Sequence, residues 1–158
     1  MSTLAALAEG LVAGPAKVRL AVRGLSAEQL RARPVPGKWS ILEVICHLAD
    51  SDQAWAHRIK RAIAEEKPLL IGYDETRFAA SLGYHDRNVE DELELSEQMR
   101  RQLAQIVRGL KPEKLKQVAI HSESGKMNLE EMLKIEIDHV EHHLKFILEK
   151  RQALGLEP

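Results

Sequence analysis

The chain has 158 residues, 44% hydrophobic and 30% charged, the balance of a soluble globular protein large enough for one sizeable core. Its 23 Lys and Arg against 24 Asp and Glu give a formal net charge of -1, and it holds only two Trp, two Tyr and two Phe. That excludes the basic field that draws nucleic acid or an anionic membrane, and an aromatic platform for stacking bases.

Cys46 is the only cysteine, so there is no intrachain disulfide, and a cytoplasmic setting fits. The N-terminal stretch has no basic region ahead of its apolar residues, and Glu9, Gly10, Gly14 and Pro15 interrupt the run, so it does not read as a signal peptide. No segment approaches the roughly 20 apolar residues of a membrane span. The expectation is a single domain over residues 1–158, with neither a nucleic-acid nor a membrane partner.

From about Thr3 to Val22, Leu4, Leu7, Leu11, Val18 and Leu20 recur as in a helix, which Gly14-Pro15 is expected to break or kink. Ser26 to Leu30 suit a short capped turn, and the RPVPG run at 33–37 forces an irregular connector. A second strong helix opens at Ser40, which with Glu43 makes a capping box, and runs to about Ala64. Ile41, Val44, Ile45, Leu48, Trp55, Ile59 and Ile63 share one face. Asp52 projects into the middle of that face and His47 with Ser51 lies along its edge, whereas Asp50 and His57 point the opposite way.

Lys67-Pro68 ends this helix. The stretch from Leu69 to Asn88 holds both Tyr and one short helix at about Asp74 to Leu82, and connectors of this length are often functional or form lids. A third helix, Val89 to about Leu110, uses Leu93, Met99, Leu103, Ile106 and Val107 and stops at Lys111-Pro112. Arg100-Arg101 and Lys114 to Lys116 read as ordinary solvated faces. Val118-Ala119-Ile120 is extended before a turn at Ser122 to Lys126.

The most informative stretch is the last, Asn128 to Leu148. Asn128 and Glu131 have capping-box spacing, and Leu129, Met132, Leu133, Ile137, Val140, Leu144 and Ile147 form one broad apolar face. Glu136, His139 and His143 intrude on that face, while His142 falls at its solvent edge. Burying the face buries a carboxylate and two imidazoles, which then need partners. These long amphipathic helices, with no sustained strand alternation, predict an all-α four-helix bundle with a long crossover connection between the second and third helices.

His139 and His143, four residues apart, point the same way from adjacent turns and can hold one metal ion. The simpler reading is a pair of core-edge histidines bonded to neighbours such as Glu136. Two histidines do not complete a site, and a catalytic centre commonly has three protein ligands and an open position. His47 is the best third candidate because it edges another core helix. His57 faces solvent, His85 and His121 lie in loops, and Cys46 projects off the main apolar face as a packed or surface thiol. Glu136 is the catalytic candidate, as base, fourth ligand or orienter of an imidazole, against a plain hydrogen bond to a neighbouring helix. Asp52 carries the same ambiguity.

The combination Trp39-Ser40-Ile41, Glu43, His47-Leu48-Ala49-Asp50, Asn128-Leu129 and the DHVEHH run at 138–143 resembles the DinB/YfiT-like superfamily. (This is the damage-inducible helical-bundle family, not the polymerase of the same name.) The mid-chain YDE at 73–75 and LGY at 82–84 extend the resemblance over nearly the whole chain. It implies a four-helix bundle, often a homodimer, in which three histidines hold a divalent metal such as zinc or nickel. Carried over, the ligands are His47, His139 and His143. Relatives imply either hydrolysis or transfer of a low-molecular-weight thiol onto an electrophile, hence a metal-dependent enzyme of hydrolase or thiol S-transferase type acting on a small-molecule substrate. The rival readings are a non-catalytic, metal-stabilised stress-response or interaction module, and a plain dimerising bundle with no metal.

Overall fold

The computed structural model describes residues 3–157. Four long helices, α1 (Leu4–Val22), α3 (Ile41–Ala64), α5 (Val89–Arg108) and α6 (Leu129–Ala153), form the bundle. Short helices α2 (Ala27–Arg31) and α4 (Glu75–Ser81) and strands β1 (Leu69–Leu70), β2 (Val118–His121) and β3 (Gly125–Asn128) connect them. Helices α1 and α3 sit diagonally, each packing against both α5 and α6.

Two apolar clusters fix the helix directions. At one end Leu7 of α1 and Leu129, Met132 and Leu133 of α6 meet Ile59 and Ala62 of α3 and Leu103 and Val107 of α5. At the other, Val18 and Val22 of α1 and Ile147 of α6 meet Ile41 to Leu48 of α3 and Leu93 of α5. Helices α3 and α5 therefore run the same way, antiparallel to α1 and α6. The segment between α3 and α5 carries the chain back along the bundle, through β1, α4 and a short 3-10 turn at Tyr84–Asp86.

The sheet is small because its strands are two to four residues long: β1 pairs parallel with β2, and β2 pairs antiparallel with β3. It ends at Asn128, whose side chain caps α6, so β3 delivers the chain directly into the last helix.

Helix α1 is not broken at Gly14-Pro15, since it runs as one helix through Pro15. Pro15 removes one N–H from the helical ladder, yet it is buried, and the adjacent Gly14 packs closely against Val140 of α6.

Arg100 corrects the expectation of a solvated face. It is only 1% exposed at the centre of the bundle. Its Nε and Nη2 donate to Asp52 Oδ1 at 2.9 and 2.8 Å, and Nη2 also donates to Glu136 Oε1 at 2.9 Å and to the Glu136 carbonyl at 2.8 Å. Asp52 additionally accepts from Ser96 Oγ. The two acids that intrude on apolar faces thus find one shared cation, joining α3, α5 and α6.

Candidate metal centre

Helix α3 starts where Ser40 Oγ accepts the Glu43 N–H at 3.1 Å and Glu43 Oε2 accepts the Ser40 N–H at 2.7 Å. Glu43 is itself held by Arg33. That anchored end puts His47 on the inner side of the second turn, 1% exposed, with the Trp39 ring 5.2 Å from it between centroids. The Asn128–Glu131 capping box anchors α6 in the same manner. Its face presents His139 and, one turn on, His143.

The three imidazoles converge. Their available nitrogens lie within 4.8 Å of one another, and the Nε2 atoms of His47 and His139 are 3.2 Å apart. The His143 ring centroid is 4.6 Å from His47 and 4.5 Å from His139. Burial pushes the His139 imidazole down to about 4 and that of His143 to about 3, each helped by its neighbouring histidines. His47 is lowered too, again by burial, with the Glu75 carboxylate pulling the other way. All three are therefore neutral at pH 7, the form that donates a lone pair to a metal.

Facing Nε2 atoms of two neutral rings share one proton at most, and the Nδ1 atoms of all three histidines are buried without a partner. A triad of neutral imidazoles this close is a poor hydrogen-bonding cluster and a good set of borderline donors for a divalent ion. The donor set fits.

Two cavities meet at the centre. One, of about 430 Å³, is lined by Trp39, Val44, His142, His143, Phe146 and Lys150 among others. The other, of about 210 Å³, is lined by His47, Ser51, Trp55, Arg58, Tyr73 and His121 among others. Glu75 and His139 border both.

With this geometry in place, the sequence profile of the DinB superfamily matches residues 11–147. The chain belongs to the DinB superfamily. It is 33% identical over 133 residues to an Oceanobacillus iheyensis protein named "Putative metal-dependent hydrolase", covering 84% of this chain and 77% of that one. It is 27% identical over 142 residues to the Bacillus subtilis protein named "Putative metal-dependent hydrolase YfiT", covering 89% and 80%. The solved structure of YfiT, described as "a probable metal-dependent hydrolase with an unusual four-helix bundle topology", superimposes with a TM-score of 0.89 at 26% identity, covering 96% of this chain and 87% of that one.

Within this DinB chain, Glu136 Oε1 accepts from Arg100, and burial raises its pKa well above the usual carboxylate range. The carboxylate that does reach the centre is Glu75, with Oε2 3.6 Å from His47 Nε2 and a side chain 59% exposed. Sequence reasoning missed it as a site residue. Its signal was Asp74, which caps α4 by accepting the Arg77 N–H at 2.9 Å and so fixes Glu75 as the first helical residue, facing α3.

Asp50, read as pointing away from the core, is buried all the same because the connector folds over it. It accepts from Tyr84 Oη at 2.8 Å and Arg87 Nη1 at 2.9 Å. Cys46 is fully buried with its thiol pushed up to about 12, mainly by burial, so it supplies no nucleophile. His57 and His142 are exposed; His85 bonds Ser40 Oγ at 3.1 Å; His121 is buried on β2, stacked on Trp55.

Proposed function

We propose that this chain is a metal-dependent enzyme acting on small molecules, of hydrolase or thiol S-transferase type, in which His47, His139 and His143 hold one zinc or nickel ion. The observation that carries the reading is the convergence of three neutral imidazoles, two buried and one half-buried, at the junction of two cavities. The names given to the Oceanobacillus iheyensis and Bacillus subtilis relatives support the hydrolase form.

When bound, a divalent ion on three neutral imidazoles supplies Lewis acidity that brings the pKa of a coordinated water or thiol towards neutrality. Glu75 Oε2, at the shared border of the cavities, takes up the proton released there. Trp39 covers His47 and keeps bulk water off that side. The Asp52–Arg100–Glu136 network holds α3 and α6 at the spacing that keeps the three rings together. Two cavities sharing Glu75 and His139 give room for two reactants, which favours thiol transfer as the second form of the reading.

The test is elemental mass spectrometry of protein purified without a His tag, beside His139→Ala and His143→Ala. Near one metal per chain in the wild type, lost in both variants with helical circular dichroism unchanged, supports the reading and opens assays of ester hydrolysis and thiol conjugation. Normal metal content in both variants sinks it. A metal-loaded protein whose turnover is indifferent to Glu75→Gln removes Glu75 from its role.

A further inference from the structure

The larger cavity contains a charge that the proposed chemistry leaves unused. Lys150 lies in its wall, 2% exposed, and Nζ donates to the Phe146 carbonyl of its own helix at 3.1 Å. An ammonium has three N–H donors, so two are left over. Among the described residues no carboxylate lies within ion-pair distance of it. Glu43 is committed to Arg33, the Ser40 N–H and His85, while Glu149 is exposed on the outer side of α6. Lys38, the other cation lining the cavity, adds positive field.

A buried ammonium without an anion is costly. The desolvation shows as a lysine pKa below its ordinary value. Position gives the unused charge a use. Lys150 is seven residues beyond His143, two turns along the same face, a rise of about 10 Å. The bond to Phe146 folds its side chain back towards the histidines. Trp39, Val44 and Phe146 make the wall between them apolar.

We propose that Lys150 binds a carboxylate at one end of the substrate, with the apolar body against Trp39 and Phe146 and the reacting group at the histidine centre. One ammonium with two spare donors balances one negative charge, which suits a carboxylate better than a phosphate dianion. The naming of the reacting end rests on the proposed function; the carboxylate subsite does not.

The experiment uses the full chain, zinc-loaded and metal-free, with phenylacetate and its neutral analogue phenylacetamide as probes in titration calorimetry. In both forms phenylacetate should bind at least about tenfold tighter than the amide. Lys150→Met should abolish that preference with zinc content and circular dichroism unchanged, and Lys150→Arg should restore part of it. A preference that survives in Lys150→Met, or vanishes on zinc removal, overturns the proposal, since the carboxylate then sits elsewhere or on the metal. So do equal affinities for acid and amide, absence of phenylacetate binding, or displacement by inorganic phosphate but not by acetate. Protein that retains no zinc yet prefers phenylacetate through Lys150 ends the metal reading and leaves the carboxylate subsite standing.

Discussion

Neutral imidazoles in a largely buried triad couple the centre to pH. With folded pKa values of about 4 for His139 and about 3 for His143 against an ordinary 6.5, the unfolded chain binds more protons than the folded one below about pH 6.5. Stability contributed by these histidines is therefore intact above that pH and lost as pH falls towards the folded values. Glu136, whose pKa burial raises, acts in the opposite sense, so the histidine contribution is best read as a difference. Metal-free wild type should lose more melting temperature than His143→Gln between pH 7.5 and 5.5, measured by circular dichroism; parallel curves would refute the assignment. Arg100 carries a second prediction. Arg100→Met leaves Asp52 and Glu136 buried without their cation and should cost about 3–5 kcal/mol in urea denaturation, partly recovered by adding Asp52→Asn. The histidines were legible because their spacing and apolar surroundings survive in one dimension. Arg100 and Glu75 were not, because each acts across a gap in sequence: Arg100 is 48 residues from Asp52 and 36 from Glu136. The buried acids did announce a missing cation, and a search for a basic residue inside an apolar face of another helix would have pointed to Arg100.

Helix boundaries follow local chemistry closely where capping boxes exist: Ser40 with Glu43, Asn128 with Glu131, and Ser26 with Gln29 all begin helices. No break occurs at Pro15, where tertiary packing outweighs a missing hydrogen bond; the extended stretch at Val118 to Ile120 is strand β2, whereas the two-residue β1 and the four-residue β3 are too short to show alternation. Close approach of α1 to α6 is the packing responsible. A methyl placed on Gly14 would meet Val140 Cγ1 at 3.2 Å, and one on Gly10 would meet Ile137 Cδ1 at 2.9 Å. Val140 follows His139 directly, so α1 seats the helix that bears two of the three imidazoles. Gly14→Val should force the helices apart at a cost of about 1–3 kcal/mol and weaken zinc retention. An unchanged denaturation midpoint would show that α6 gives way without loss.

Across the molecule, the three histidines tie α3 to α6, two helices that enter the bundle from opposite ends and are separated in sequence by the whole of the connector, α5 and the sheet. A ligand bound only by the assembled triad stabilises the entire fold, because the unfolded chain holds no such cluster. At a free ion concentration of about 100 times Kd the gain is about 2.7 kcal/mol, which in a chain of this size raises Tm by roughly 5–11 °C. Zinc or nickel added to chelated protein should produce that rise in a thermal melt, and His139→Ala should abolish it. The variant also separates two possibilities in its metal-free state. Removing one of three crowded neutral rings relieves buried, unpaired Nδ1 and facing Nε2 atoms, so its metal-free Tm should match or exceed that of metal-free wild type. A centre whose only task was a hydrogen bond between histidines would behave the other way: metal would leave the wild-type melt unmoved, and His139→Ala would melt lower in every condition.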